Sequence, residues 1–227
     1  MPKVLIADKL SPAAVAIFTE RGVEVDVKTG LSKDELIKIV GQYDGIAIRS
    51  ATKLTADVIK AATNLKVIGR AGIGVDNVDI PAATGAGVIV MNTPFGNSIT
   101  TAEHAISLML ALARELPAAN ASTQAGKWEK NRFMGVEITG KVLGLIGAGN
   151  IGSIVADRAR GLKMRVIAYD PFLSQDRAND LGIEKVELND LLARADFITL
   201  HVPMTAETKN ILSADAIART KKGVRII

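Results

Sequence analysis

The stretch that most restricts the fold of this chain is Gly147-Ala148-Gly149-Asn150-Ile151-Gly152. Alone, a G-x-G-x-x-G spacing carries little weight, because chance matches occur in a chain with 20 glycines among 227 residues. Its neighbours give it force. An apolar run, Val142 to Ile146, precedes it and reads as a strand. The residues after it put Ile151, Ile154, Val155, Ala159 and Leu162 on one face of a helix. Gly161 is placed to end that helix, "MRVIAY" reads as the next strand, and Asp170 stands at its carboxyl end. Strand, glycine turn, helix, strand and terminal acid form the βαβ unit of a dinucleotide site, with the acid at about the expected 20-residue distance.

The chemistry of that unit lies mostly in the backbone. Gly147 permits the tight turn, Gly149 lets a pyrophosphate approach bare main chain, and Gly152 lets helix and strand pack closely. The N–H groups of Asn150 and Ile151, in the first helical turn, then face the phosphates. Asp170 would accept the adenosine ribose hydroxyls and repel a 2′-phosphate. Pro171, Phe172 and Leu173 offer that phosphate no cation, so NAD is expected over NADP. The competing reading is a glycine cluster that only packs a helix beside a strand-ending Asp.

The rest of the chain extends the same alternation. "KVLIA", "VEVDV", "GIAIRS", "KVIGRAG" and "GVIVMNTP" read as strands in the first hundred residues. Ser11-Pro12, the capping box Ser32 to Glu35, and Thr55 start the helices between them. From Ser98 the pattern changes to one long helix, with a box at Thr100 and Glu103 and a stop at Pro117. After a polar stretch around "GKWEKNRF", strands recur at "KVLGLIG", "MRVIAYD", "KVEL", "DFITLHV" and "VRII". Apolar residues are 48% and aromatics 4%, so the core is built of Ala, Val, Ile and Leu, as helices packed on a parallel sheet require. We therefore expect an α/β protein of two doubly wound parallel-sheet domains, spanning residues 1–98 and 99–227. A net charge of +4, spread along the chain, provides no nucleic-acid footprint. The absence of cysteine excludes disulfides and thiolate metal sites. No metal cluster, signal peptide or membrane span is read, and a soluble cytoplasmic protein is expected.

Other residues carry two readings each. In "GRAGIGVDN", Arg70, Gly72, Ile73 and Gly74, with Asp76 and Asn77, make a loop whose N–H groups and nearby Arg49 can hold an anion. Equally, both arginines can be solvated strand-end residues paired with acids. His201 ends the strand "DFITLH". It is either a general base or, with Val202 and Pro203, a backbone wall of the cofactor pocket. His104, within an apolar helix, is expected to be a buried or helix-surface residue rather than a catalyst, and Glu103 is first a capping partner. Trp128 is an amphipathic anchor for packing or for a second subunit.

Taken together, "RSATK", "GRAGIGVDNVD", "MNTPFGNS", "GKWEKNRFMGVE", "LGLIGAGNIG", "AYDP", "DFITLHVP" and "KKGVRII" resemble the D-2-hydroxyacid dehydrogenase family over essentially the whole chain. "RSATK" and "KNRFMGVE" point within it to the branch that oxidises 3-phosphoglycerate. The resemblance implies a flavodoxin-like substrate domain followed by a Rossmann NAD-binding domain that is inserted into it. It implies NAD-linked interconversion of 3-phosphoglycerate and 3-phosphohydroxypyruvate, the first step of serine biosynthesis. Asn150, Ile151 and Asp170 would hold NAD, with Ile73 and Val202 close by. Arg49, Arg70 and Gly72 to Gly74 would meet the substrate. Lys130 and Arg132 would approach the site of a neighbouring subunit in a homodimer or homotetramer. Family members continue from such a last strand into an N-x-A-R-G turn and then a Glu and a His that move the proton. Neither Arg225 nor His201 occupies those positions. A C-terminally truncated and inactive dehydrogenase is thus expected, with no catalytic residue in the chain. The alternatives are a glyoxylate- or lactate-type 2-hydroxyacid dehydrogenase and a non-catalytic NAD(H)-binding corepressor.

Overall fold

A computed structural model describes residues Met1–Ile227 and divides into two compact units, Met1–Asn97 and Ser98–Ile227. In the first unit, the strands are β1 (Lys3–Ile6), β2 (Glu24–Val27), β3 (Gly45–Ile48), β4 (Val67–Arg70) and β5 (Ile89–Asn92). The helices are α1 (Pro12–Glu20), α2 (Lys33–Val40), α3 (Ala56–Ala61) and α4 (Ile80–Gly85). The sheet is wholly parallel in the order β2-β1-β3-β4-β5, the flavodoxin-like order. Direction therefore reverses between β1 and β3, and the crevice outside the carboxyl ends of those strands is where such folds bind ligands.

Local chemistry starts the helices much as the sequence indicates. Ser32 and Glu35 close a full capping box on α2. Thr55 sits at the N-cap of α3 without a side-chain capping bond, so there the expectation fails. Its hydroxyl is buried instead. Leu5, Ile46, Ile48 and Ile68 fill the centre of the sheet, with Leu36, Val40 and Val58 from the helices packed on them.

The second unit opens with α5 (Ser98–Ala113) and α6 (Leu116–Gln124). Its strands are β6 (Val142–Ile146), β7 (Arg165–Tyr169), β8 (Glu184–Lys185), β9 (Phe197–Leu200) and β10 (Arg225–Ile226), and its other helices are α7 (Asn150–Gly161), α8 (Gln175–Leu181), α9 (Leu188–Arg194) and α10 (Ala214–Ala218). The single long helix expected up to Pro117 is in fact two. Glu115 adopts a left-handed backbone (φ 54°), and Pro117 falls in the first turn of α6, where its missing N–H costs nothing. Helix α5 also begins at Ser98, which places Thr100 inside it rather than at a cap. The sheet is parallel in the order β10-β9-β6-β7-β8, which is the Rossmann order with its reversal between β6 and β9. Every residue of β6 is buried, as a central parallel strand requires. The closing "VRII" forms β10, an edge strand paired only with β9.

Phe197, fully buried beside Leu143 and Leu145, is the largest aromatic of this core, and the Arg225 guanidinium lies 5.5 Å from its ring centre. Phe197→Ala should lower unfolding free energy by about 3–5 kcal/mol, read as a shifted denaturation midpoint in urea. A loss below about 1 kcal/mol would show that the ring is not a core element.

Candidate functional site

The glycine turn in the second unit is built by contacts that exclude side chains. Gly147 has φ +92°, and a Cβ there would lie 2.6 Å from the His201 carbonyl oxygen and 2.7 Å from Val202 Cγ1. A Cβ on Gly152 would run into the Gly147 carbonyl oxygen. Gly149, by contrast, faces open space, with nothing within 4 Å of the place a Cβ would take. Thus one glycine sits against the loop after β9, one against the turn, and the middle one leaves room for a ligand. Helix α7 begins at Asn150, and its N-cap, Gly149, supplies no side-chain bond. Its first-turn N–H groups, Asn150 and Ile151 included, have no intrahelical acceptors and point out of the helix start.

Asp170 completes the cradle. Its Oδ2 accepts the Ala148 N–H at 2.8 Å and its Oδ1 accepts the Phe172 N–H at 2.8 Å. The carboxylate thereby fixes the glycine turn relative to β7 and keeps lone pairs for further donors. Pro171 and Phe172 are exposed, and Leu173 is buried behind them. A cradle open at Gly149, with a carboxylate at the end of the second strand, matches what a dinucleotide demands: bare backbone for the pyrophosphate and an acceptor for ribose hydroxyls. Helix α7 ends at Gly161, as the sequence indicates, and the left-handed position beyond it is Lys163 (φ 64°).

Across the reversal point, the His201 N–H extends the ladder to the Ile146 carbonyl at 2.8 Å. The His201 ring is held at Nε2, 2.9 Å from the hydroxyl of the buried Thr199. Burial pushes its pKa below the ordinary 6.5, which favours the neutral ring. Val202 is half-buried and Pro203 is exposed.

In the first unit, the loop after β4 carries Gly72, Ile73 and Gly74. The Arg70 side chain is 10% exposed and folds back over this loop, so that a Cβ on Gly72 would strike its guanidinium. Arg70 Nε donates to Asn77 Oδ1 at 2.8 Å, and its Nη2 stands 3.8 Å from the exposed Asp76 carboxylate. Arg49, just after β3, is exposed. The two arginines are therefore unlike: one is largely enclosed and oriented by an amide, the other projects into solvent. Asn92 donates to the Ile73 carbonyl at 2.6 Å and fixes that side of the loop. Sequence reasoning passed over Asp8 and Thr52, which meet here although they are 44 residues apart. The available signal was an acid at the end of the first strand, beside the reversal point. His104 is exposed on α5, the helix-surface placement of the two the sequence allowed, and Trp128 is 85% exposed, so this chain does not itself pack it. No group of His, Asp and Glu is arranged to hold a metal ion.

A parallel sheet in Rossmann order, with a glycine cradle at its reversal point, defines a dinucleotide-binding α/β protein. Residues 106–227 match the family described as D-isomer specific 2-hydroxyacid dehydrogenase, NAD binding domain, and the chain belongs to that family. It is 51% identical over 225 residues to a D-3-phosphoglycerate dehydrogenase of Archaeoglobus fulgidus, which covers 99% of this chain and 43% of the relative. A D-3-phosphoglycerate dehydrogenase of Synechocystis is 50% identical over 227 residues, covering 100% and 41%. Among solved structures, a glyoxylate reductase from Paecilomyes thermophila matches with TM-score 0.90 at 28% identity, covering 99% of this chain and 72% of that one. A protein from Thermus thermophilus matches with TM-score 0.88 at 34% identity, covering 96% and 70%. The chain spans about two-fifths of the length of the curated relatives it matches. No helix is long and apolar enough to cross a membrane.

Two outcomes follow from this geometry. Gly152→Ala should abolish measurable NADH binding, because the new methyl group displaces the turn; retention of wild-type affinity in a fluorescence titration would contradict the packing described. His201 bears on stability. Its folded pKa is lowered, so below about pH 6.5 the unfolded chain binds a proton that the folded chain resists. Unfolding free energy should therefore decline as pH falls from 7 to 5, less steeply in His201→Gln; equal slopes would remove His201 as the cause.

Proposed function

We propose that the chain serves NAD-dependent oxidation of 3-phosphoglycerate to 3-phosphohydroxypyruvate, the opening step of serine biosynthesis. In this reading Ser98–Ile227 holds NAD and Met1–Asn97 holds the phosphorylated hydroxy acid. Gly149, Asn150 and Ile151 receive the pyrophosphate on a turn shaped by Gly147 and Gly152, and Asp170 takes the ribose hydroxyls and disfavours a 2′-phosphate. His201, Val202 and Pro203 wall the pocket with backbone and apolar surface. NAD, when bound, accepts the hydride. Arg49 and Arg70 attract the substrate's negative charge, and the Ile73 and Gly74 N–H groups orient it, the Gly72 N–H being taken by the Arg70 carbonyl at 2.9 Å. The observation that carries the reading is the pairing, in one chain, of an open glycine cradle with a second strand-end loop that presents a largely enclosed arginine over bare backbone. Relatives named D-3-phosphoglycerate dehydrogenase, aligned along nearly the whole chain, supply the substrate class.

The acid–base step is assigned to neither of the two histidines, since His104 is exposed on α5 and the His201 ring is tied to Thr199. A homodimer or homotetramer is part of the reading. Leu108, Leu112, Leu116 and Trp128 expose apolar surface, and Lys130 and Arg132 project from the segment beside Trp128. The cytoplasm is the proposed compartment.

The test is calorimetry on the 227-residue chain. NADH should bind at least about tenfold more tightly than NADPH, and Asp170→Ala should weaken NADH. 3-Phosphoglycerate should bind more tightly than glyoxylate or lactate and be weakened by Arg70→Lys, while the chain alone turns over no substrate. Tighter binding of unphosphorylated acids would replace the phosphoglycerate reading with another 2-hydroxyacid. Efficient turnover would place the proton-transfer group within these residues.

A further inference from the structure

The anion loop of the first unit rests on one buried amide. Asn77, 8% exposed, uses both donors and its acceptor. Its Nδ2 donates to the Arg49 carbonyl at 2.7 Å and the Thr52 carbonyl at 2.6 Å, while its Oδ1 accepts Arg70 Nε at 2.8 Å. The turn after β3 and the arginine at the end of β4 are thereby joined through a single side chain. The main chain reinforces the junction, with the Leu54 N–H on the Asn77 carbonyl at 2.8 Å. On the opposite side of the same turn, the buried Asp8 accepts the Arg49 N–H at 2.6 Å, the Thr52 N–H at 3.2 Å and the Thr52 hydroxyl at 2.8 Å.

We propose that Asn77 is a positioning residue for anion recognition, holding Arg70 and the turn that carries Arg49 in one fixed register, with Asp8 as its counterpart across that turn. The inference rests on the reading of Arg49 and Arg70 as substrate-binding groups. An arginine fixed through Nε keeps its two terminal nitrogens free and its plane set, which bidentate recognition of a carboxylate or phosphate requires. Without Asn77, Arg70 has only the exposed Asp76, 3.8 Å away, as a partner from its own loop. Asn77 touches no ligand in this scheme and acts through Arg70 and the Arg49 turn. The amide identity matters: in Asn77→Asp an oxygen would face the carbonyls of Arg49 and Thr52, and the turn would be repelled.

The experiment is a double-mutant cycle on the 227-residue chain, with 3-phosphoglycerate as the probe and NADH binding as the control in the other unit. Asn77→Asp should weaken 3-phosphoglycerate by about tenfold or more, leave NADH affinity unchanged, and have little further effect in an Arg70→Lys background. An unchanged affinity, or an equal loss in both backgrounds, would overturn the positioning role while leaving Arg70 as a ligand. If the wild-type chain binds no 3-phosphoglycerate at all, the substrate reading fails and this inference falls with it. A second measurement needs no variant: nitrogen-detected NMR of the arginine side chains. The Arg70 Nε–H should exchange slowly with water both free and with the probe bound. Fast exchange in the bound state would show that Asn77 releases the arginine and would equally overturn the proposal.

Discussion

The close seating of α7 on β6 is the contact on which the second unit depends. It exists because Gly152 has no Cβ to meet the Gly147 carbonyl. With the helix start brought so near the strand end, the first-turn N–H groups point outward over Gly149 rather than into a packed loop. The same turn is then gripped from both sides. Asp170 holds Ala148 from β7, and the His201 carbonyl and Val202 lie against Gly147 from the strand across the reversal point. Three strand ends thus converge on one glycine turn, and a side chain at Gly147 or Gly152 would force them apart.

The first unit solves a similar problem with side chains instead of glycines. Its reversal point between β1 and β3 is occupied by Asp8 and Thr52, and Asn77 reaches the same turn from beyond β4. Backbone N–H and carbonyl groups at the loop bases are consumed by a carboxylate and an amide, and the charge offered outward comes from guanidinium groups. One sheet therefore presents bare backbone at its reversal point and the other an oriented guanidinium, that of Arg70, with Arg49 exposed nearby. This division suits a pyrophosphate, which needs close main-chain approach, and a small acid, which needs bidentate donors.

How much of this was legible in the sequence depended on the range of each interaction. The strands were readable because parallel strands buried on both faces must be continuous apolar runs, and "VLGLI" is the clearest of them. The glycine cradle was readable because its constraint lies within six consecutive residues. Pro117 misled because proline both ends helices and opens them; only the left-handed Glu115 settles which it does here. Helix α4, capped by Asp79 with Pro81 in its first turn, carries a start signal that sequence reasoning did not use. Gly161 did mark the end of α7, although a lysine, Lys163, takes the left-handed position beyond it. The Asp8–Thr52 and Asn77–Arg49 bonds span 44 and 28 residues, and no local pattern encodes them.

His201 illustrates what geometry adds to a residue whose sequence context allows two roles. A general base needs a ring nitrogen that reaches the proton it removes and a pKa near the working pH. Here Nε2 is 2.9 Å from a buried threonine hydroxyl, and burial lowers the pKa, so one ring nitrogen is engaged and the ring is a weak proton acceptor. The backbone of the same residue is placed with much tighter tolerance. Its N–H continues the β6 ladder, and its carbonyl lies where a Cβ on Gly147 would have to go. The close-packed part of His201 is therefore its main chain, which fixes the distance between the two loops flanking the cradle. The Thr199 bond turns the imidazole into part of that wall, and this arrangement favours a shaping role over a chemical one.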